Sequence, residues 1–338
     1  MNNKFNRRTF IKTSAAAGVG LGVMGGFSDL FAAQASGKRV GIIGLDTSHS
    51  IAFTKTLNAK EADPVYRDYK VVAAYPRGSK DIESSVSRVD GYIKDIQQYG
   101  VEIVDSIESL LSKVDVILLE SNDGRVHLEQ ALPVFKAGKR TFIDKPIAAS
   151  LRDTIAIFDQ AEAHDVPIFS CSSLRYMKSA QEVAQGKVGK VLGADAFSPA
   201  KLEDTHPDLL WYGIHGIEIL FTVMGTGCKT LTRTHTKDTD VVVGVWEDGR
   251  VGTFRGLRSG KNAYGGTVYG ENGVQVLGPF DGYNPLLKQI VDFFDSGVPP
   301  VSKQETLEIV AFAEAADISK NNGGSAVSLA SVFEKALK

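Results

Sequence analysis

The sequence predicts an α/β fold that opens with a doubly wound parallel sheet, and three observations support this fold class. Short runs rich in Val, Ile and Ala alternate with segments of helical spacing. These runs are almost continuously apolar, which is typical of parallel strands that helices cover on both faces. The chain has 338 residues and is 43% hydrophobic, so it can bury a core large enough for two domains.

The amino-terminal elements follow one another in a regular order. A helix that begins at Ser48 or His49 and continues through Leu57 is predicted after the first strand. The pair Asp105 and Glu108 forms a capping-box pattern at the start of another helix. Gly138 stands where a helix that begins at His127 should end. The predicted strands cover residues 39–44, 70–75, 101–104, 116–120 and 141–143.

The first 35 residues resemble a bacterial twin-arginine signal. Arg7-Arg8 leads into a weakly apolar stretch over residues 13–27, and Ala33-Gln34-Ala35 offers a small-x-small cleavage site. This order of regions predicts export to the periplasm through the twin-arginine machinery. The alternative is an amphipathic or membrane-spanning helix, which the five glycines of the apolar stretch disfavour. After cleavage no stable membrane span is expected.

Composition and charge exclude several classes of protein. The formal net charge is -2 and no run of basic residues occurs, so binding to nucleic acid is not expected. Cys171 and Cys228 lie far apart and outside any CxxC pattern, so they are interpreted as buried thiols. Residues 203–208 include metal-ligand residue types, but a polar loop at the rim of a cleft explains them, and no metal is expected.

Residues 141–148 (TFIDKPIA) place a lysine where an apolar strand is about to end. Pro146 cannot donate to a sheet ladder, so the strand should end beside it. The carboxyl ends of parallel strands face the ligand crevice, and Lys145 is therefore predicted to project its ammonium group into the active-site cleft. There it can bind a sugar oxygen or move a proton. The alternative is a salt bridge with Asp144 at the strand end.

The turn after the first strand is expected to bind phosphate, although its glycine pattern is incomplete. Gly44 supplies the first glycine, but Asp46 and His49 stand where the second and third would allow a pyrophosphate to approach the backbone. The helix amino-terminus and the hydroxyls of Thr47 and Ser48 still offer donors to an anion. The alternative is that Asp46 or Ser48 caps the helix and His49 packs or caps.

The turn after the second strand carries Arg77 and Ser79 where many such folds hold the adenosine ribose with an acidic residue. An arginine and a serine suit a 2'-phosphate better than a free 2'-hydroxyl, so a bound dinucleotide is expected to be NADP rather than NAD. The alternative is a solvated Pro-Arg-Gly-Ser turn.

These features together resemble the Gfo/Idh/MocA family of sugar and polyol oxidoreductases, which includes glucose-fructose oxidoreductase and inositol dehydrogenase. The resemblance rests on RVGIIG at 39–44, VDVILLE at 114–120, His127, AGKRTFIDKPIA at 137–148, VPIFSCSSLRY at 166–176 and GKVGKV at 186–191. It implies a Rossmann domain over residues 38–148. An α+β domain should follow over 149–338, with an open, mostly antiparallel sheet that often builds homo-oligomers.

The resemblance also implies roles for particular residues. Lys145 falls on the family lysine that binds substrate beside the nicotinamide. His215 falls on the histidine that transfers a proton in an Asp-x-x-x-His pattern, although Trp211 replaces the aspartate. Trp211 and Tyr212 carry aromatic faces that can stack on a sugar. Core packing is the alternative for either ring.

Further candidates follow other predicted strands. Asp144, Arg175 and Tyr176 are candidates for binding substrate. Asn122 and His127, after the strand at 116–120, are candidates for binding the cofactor. Helix-start or inter-domain contacts explain His127, Arg175 and Tyr176 equally well.

Three functions remain open from the sequence. The first is an exported oxidoreductase that holds NADP or NAD tightly and transfers hydride to and from a carbohydrate within one catalytic cycle. The second keeps the fold without redox chemistry, as a carbohydrate lyase, hydratase or hydrolase run by Lys145 and His215. The third is a sugar-binding protein without enzymatic activity.

Overall fold

The structure is a computed structural model that describes residues 38–338, so the predicted signal lies outside the described residues. The described part contains two sheets. The first is six-stranded and parallel, in the order β3-β2-β1-β4-β5-β6. Its strands are β1 (Arg39–Ile43), β2 (Lys70–Tyr75), β3 (Glu102–Ile103), β4 (Val116–Leu119), β5 (Thr141–Ile143) and β6 (Ile168–Phe169). The predicted doubly wound parallel sheet is confirmed, and its last strand lies beyond residue 148.

Helices cover both faces of this first sheet, as the continuous apolar strands require. All four residues of β4 are buried, which is the pattern of a central parallel strand. The Ser106 side chain caps one helix and the Ser150 side chain caps another. The helices are α1 (Ser48–Leu57), α2 (Glu83–Val86), α3 (Val89–Gln97), α4 (Ile107–Leu111), α5 (His127–Lys136) and α6 (Leu151–Ala163).

The second sheet is seven-stranded and mostly antiparallel, in the order β12-β11-β7-β10-β9-β8-β13. Only the pair of β7 and β10 runs parallel among its described ladders. The predicted α+β second domain is therefore confirmed. Its strands are β7 (Val191–Pro199), β8 (Cys228–His235), β9 (Thr239–Trp246), β10 (Val251–Leu257), β11 (Gly265–Gly270), β12 (Gly273–Leu277) and β13 (Val327–Ser328).

The remaining helices join the two sheets. They are α7 (Lys178–Ala184), α8 (Ile214–Met224), α9 (Asn284–Ser296), α10 (Lys303–Asn321) and α11 (Leu329–Ala336). Every residue of α8 except Thr222 is buried, since α8 packs between the second sheet and α10. Gly216 permits this contact, because a Cβ there would lie 2.3 Å from the Phe254 ring.

Helix α9 packs back on the first sheet. Its apolar residues, including Phe293 and Phe294, join the core cluster formed by β1 and β2. The buried guanidinium of Arg140 donates to the Phe294 carbonyl at 2.6 Å. A late segment of the chain therefore completes the amino-terminal domain. No helix among residues 38–338 is both long and apolar enough to span a membrane.

Candidate active site

A cavity of about 500 Å³ lies where the carboxyl ends of the first-sheet strands meet the second domain. It falls at β1, where the strand order reverses, which is the usual ligand position in doubly wound sheets. The residues that line it are Thr47, Ser48, His49, Ser84, Arg88, Tyr92, Asn122, Asp144, Lys145, Ser173, Leu174, Lys201, Trp211, Tyr212, His215, Tyr264, Phe280 and Tyr283.

The structure brings Lys145 and His215 to this one cavity from different domains. Lys145 directly follows the residue after β5 and is 7% exposed. Its Nζ lies 4.0 Å from Oδ2 of Asp144, so the ammonium remains available to a ligand. This placement allows Lys145 and His215 to act on the same bound ligand.

His215 is held in place by a hydroxyl. Its Nδ1 lies 2.7 Å from Oγ of Ser172, and the Tyr212 ring packs edge-on at 5.0 Å. Burial lowers the pKa of His215 well below its ordinary value, and the charge of Lys145 lowers it further. The imidazole is therefore neutral at pH 7, as a proton acceptor must be. Because Ser172 engages Nδ1, Nε2 is the nitrogen left for a ligand.

Asp144 is part of a buried charged group beneath Lys145. Burial by itself would raise the pKa of Asp144, but the charges of His49 and Lys145 outweigh it and lower the pKa to about 2. Oδ1 of Asp144 lies 3.1 Å from Nδ1 of His49. Glu120 lies beside this pair. Burial raises the pKa of Glu120 well above its ordinary value, and the charge of Asp144 raises it further.

The turn after β1 has the backbone of a phosphate-binding turn despite its missing glycines. Gly44 has a φ of 89°, and a Cβ there would lie 2.5 Å from the Ser121 nitrogen. The Asp46 carboxylate is fully buried and accepts from the backbone N–H groups of Asn122 at 2.9 Å and Ser79 at 3.2 Å. Asp46 therefore ties the β2 and β4 loops together and does not project into the cavity.

The start of α1 fits an anionic group. Thr47 is the N-cap residue, yet its side chain makes no capping hydrogen bond, and its buried Oγ1 has no hydrogen-bond partner within the described part of the chain. Ser48 and Arg88 line the same cavity and add a hydroxyl and a positive charge. Free N–H groups with an unpartnered hydroxyl form a site for a phosphate, so these residues fit the pyrophosphate of a dinucleotide.

The other residues predicted to bind the cofactor are not all brought together. Arg77 lines a second cavity of about 600 Å³ between the loops after β2 and β3 and helix α5. Ser79 uses its hydroxyl to bind Asp81 and the Ile82 nitrogen. His127 is fully buried between the carbonyl oxygens of Ser121 and Ile147. Of this group, Asn122 lines the main cavity.

Arg175 and Tyr176 are also placed away from the cavity. The Arg175 guanidinium is buried and ion-paired at 2.5 Å with both Glu218 and Glu305. Tyr176 belongs to the core cluster of the first domain. Arg175 is therefore committed to ion pairs with the second domain, and Tyr176 to the core of the first domain.

Both aromatic candidates line the cavity. Trp211 packs against the His206 ring at 4.9 Å, and the Tyr212 hydroxyl lies 3.2 Å from that of Tyr264. Tyr264 and Tyr283 are cavity residues that the sequence did not single out. Neither has a local motif, since both lie in connections whose course depends on the second sheet.

Two further residues escaped sequence reasoning. Glu120 ends a predicted strand, and an acid at the carboxyl end of an otherwise apolar parallel strand is itself a signal for a functional site. Ser172 gave no such signal, because serines after a strand are ordinary loop residues. Its contact with His215 depends on the fold.

Known proteins agree with this architecture. Residues 38–171 match the Gfo/Idh/MocA profile, which describes an oxidoreductase family with an NAD-binding Rossmann fold. An uncharacterized oxidoreductase of Streptococcus pneumoniae is 23% identical over 155 residues, which are 41% of this chain and 42% of that protein. The matched region thus spans less than half of that relative.

Solved structures show the same fold at low identity. A probable dehydrogenase from Thermotoga maritima has a TM-score of 0.70 and 21% identity, covering 87% of this chain and 99% of its own. GenD2 from gentamicin A biosynthesis, solved with NAD, has a TM-score of 0.69 and 15% identity over 86% of this chain and 95% of its own. Scyllo-inositol dehydrogenase from Lactobacillus casei, solved with NAD(H) and scyllo-inositol, has a TM-score of 0.66 and 16% identity over 86% and 99%.

Proposed function

Because residues 38–171 match the Gfo/Idh/MocA oxidoreductases with their NAD-binding Rossmann fold, we propose that this chain transfers hydride between a carbohydrate carbon and NAD(P). The observation that carries this proposal is the shared cavity of Lys145 and His215, with the anion-fitting start of α1 on its wall. A nicotinamide bound there supplies the hydride acceptor, and the protein supplies the proton chemistry.

The two residues have complementary parts in oxidation of a hydroxyl. Lys145 donates a hydrogen bond to the substrate oxygen and stabilises negative charge as the proton leaves. His215, neutral through burial, accepts that proton on Nε2. Ser172 keeps the ring oriented through Nδ1. Burial of both groups excludes water, which strengthens each electrostatic interaction.

A polyol or sugar suits the rest of the cavity. Trp211, Tyr212 and Tyr264 line it with aromatic faces, which pack on the apolar C–H faces of pyranose and cyclitol rings. Two of the structurally similar proteins act on inositols by name. Incubation of the purified protein with a panel of inositols and sugars, together with NAD or NADP, tests this, with absorbance of the reduced nicotinamide as the readout.

The cofactor test is independent of the substrate. Mass spectrometry of natively purified protein should detect one nicotinamide dinucleotide per chain, and isothermal titration should detect binding after its removal. Lys145→Met should retain the nucleotide but lose turnover. No nicotinamide in the purified protein and no binding on addition would refute the proposal.

A second function is favoured by Asp46. Its buried carboxylate stands in the turn where the second glycine would let a pyrophosphate approach the backbone, and it holds the loops after β2 and β4 together. If the lost glycine at this turn prevents a dinucleotide from binding, Lys145 and His215 remain as the acid–base groups for elimination on an oxidised sugar. Turnover of a 3-keto sugar without nicotinamide is the outcome that distinguishes this function.

We also propose that the protein is exported by the twin-arginine machinery and carries its cofactor with it, on the basis of residues 1–35. A nicotinamide outside the cytoplasm has no pool to exchange with, so a second substrate must return it to its starting state. Replacement of Arg7-Arg8 by Lys-Lys should keep the protein in the cytoplasmic fraction. Equal periplasmic amounts of both variants would contradict this.

We further propose a homo-oligomer that forms through the second sheet. Val274 and Val276 on β12 are 64% and 67% exposed, and Val251 on β10 is 45% exposed. Exposed valines on several strands of one sheet are typical of a covered face. Light scattering should give a mass that is a multiple of the monomer's, and Val276→Glu should reduce it.

A further inference from the structure

Three ligand-type side chains converge beneath the cavity. They are His49 on α1, Glu120 after β4 and Asp144 after β5. One ligand atom from each lies within 4.8 Å of the others, and all three residues are buried. His49 and Asp144 also line the cavity wall, so a group bound between them is open to a ligand.

The buried carboxylates have too few hydrogen-bond donors. Both oxygens of Glu120 and Oδ2 of Asp144 have no hydrogen-bond partner within residues 38–338. Glu120 and Asp144 are each 0% exposed. A buried carboxylate without donors is costly, so a native structure normally supplies a donor, a cation or a proton at such a site.

The neighbouring donors do not meet this need. His49 has one Nδ1, which lies 3.1 Å from Oδ1 of Asp144 and 3.7 Å from Oε2 of Glu120. A single N–H cannot donate fully to both. Lys145 approaches Oδ2 of Asp144 only to 4.0 Å. Glu120 is therefore close to positive charge but receives no hydrogen bond from it.

The separations suit a metal ion. Imidazole nitrogen and carboxylate oxygen bind a divalent transition metal at about 2.0–2.2 Å, which places neighbouring ligand atoms about 3.0–3.5 Å apart. The distances of 3.1 Å and 3.7 Å from Nδ1 of His49 to the two carboxylates are close to this range. Small side-chain adjustments bring all three atoms to one centre.

We propose that His49, Glu120 and Asp144 form a site for a divalent transition-metal ion such as Zn²⁺ or Mn²⁺. Three protein ligands with the remaining positions facing a cavity is the pattern of a catalytic rather than a structural metal site. A hydroxyl bound to the ion would lie in the cavity of Lys145 and His215, and the ion would make that hydroxyl more acidic. The site does not depend on bound nucleotide.

Metal binding by the purified full chain tests this site directly. The protein is stripped with a chelator and titrated with ZnCl₂, MnCl₂ and, for comparison, MgCl₂ in a calorimeter. We expect one equivalent of Zn²⁺ or Mn²⁺ to bind and to raise the melting temperature. Glu120→Gln keeps the shape but removes the charge, and it should weaken binding by more than about 100-fold, since loss of an outer-shell partner alone costs 10–100-fold.

Glu308→Gln is the matched control. Glu308 is also buried, but its oxygens accept from the Gly227 nitrogen at 2.7 Å and from Gln304 at 3.1 Å. It should bind metal like the unmodified protein. If Glu120→Gln does not fold, His49→Asn replaces it. Stripped protein that binds no transition metal, or a ligand variant that binds it unchanged, would overturn the site.

Nucleotide titration of the same samples separates the two proposals. If the protein binds nucleotide but no metal, only the metal site is refuted. Protein that binds metal at Glu120 but no nucleotide supports the metal site and contradicts the nicotinamide reaction. Metal binding that survives in Glu120→Gln and Glu308→Gln alike lies elsewhere and refutes the inference.

Discussion

Replacement of Arg175 by Met tests whether this residue holds the domains together rather than binding substrate. Arg175 pairs at 2.5 Å with Glu218, which is 2% exposed, and with Glu305. Methionine keeps much of the apolar stem but leaves the Glu218 carboxylate buried without its partner. Removing one partner of a buried ion pair costs about 3–5 kcal/mol. We therefore expect the free energy of unfolding to fall by about that amount.

Urea denaturation followed by circular dichroism measures this change. Arg39→Met is the control, because Arg39 is paired with Asp115 but its side chain is 56% exposed, so solvent screens the pair and little change is expected. Arg175→Met should lower the urea midpoint without changing the slope. A midpoint equal to that of Arg39→Met would refute the structural role, and a raised KM with normal stability would point back to substrate binding.

Three further predictions concern the cavity and the turn after β1. Lys145→Met should lower kcat about 10²–10³-fold on the polyol found by screening, whereas Lys139→Met should not, and equal rates would contradict the role. The native pKa of His215 is depressed, so only the unfolded chain gains its proton as pH falls through about 6.5. The contribution of this group to the free energy of unfolding is present above that pH and lost below it. Urea denaturation at pH 7.5 and 5.5 should therefore show a smaller fall in stability for His215→Asn than for the unmodified protein. Gly44→Ala should lower the melting temperature more than Gly100→Ala, because both glycines have positive φ but only Gly44 faces backbone at 2.5 Å; equal losses would exclude the clash.

Local sequence was sufficient to predict the first sheet and part of the candidate site. Continuous apolar runs predicted buried parallel strands, because only helices on both faces satisfy such strands. Pro146 marked the end of β5, and the rule that carboxyl ends of parallel strands face the ligand then placed Lys145 at the cavity. His215 needed the family pattern, since nothing in its own apolar helix distinguishes a catalytic histidine from a buried one.

The tertiary structure decided which polar residues meet. Arg175 follows a strand of the parallel sheet, so the sequence made it a candidate for binding substrate. In the structure its guanidinium instead pairs with the carboxylates of Glu218 and Glu305. His49, Glu120 and Asp144 are separated by long stretches of chain and share no motif, yet β1, β4 and β5 are hydrogen-bonded neighbours. Strand type follows from local burial patterns that a sequence displays directly, whereas side-chain convergence follows from strand order and domain packing, which depend on contacts between distant residues.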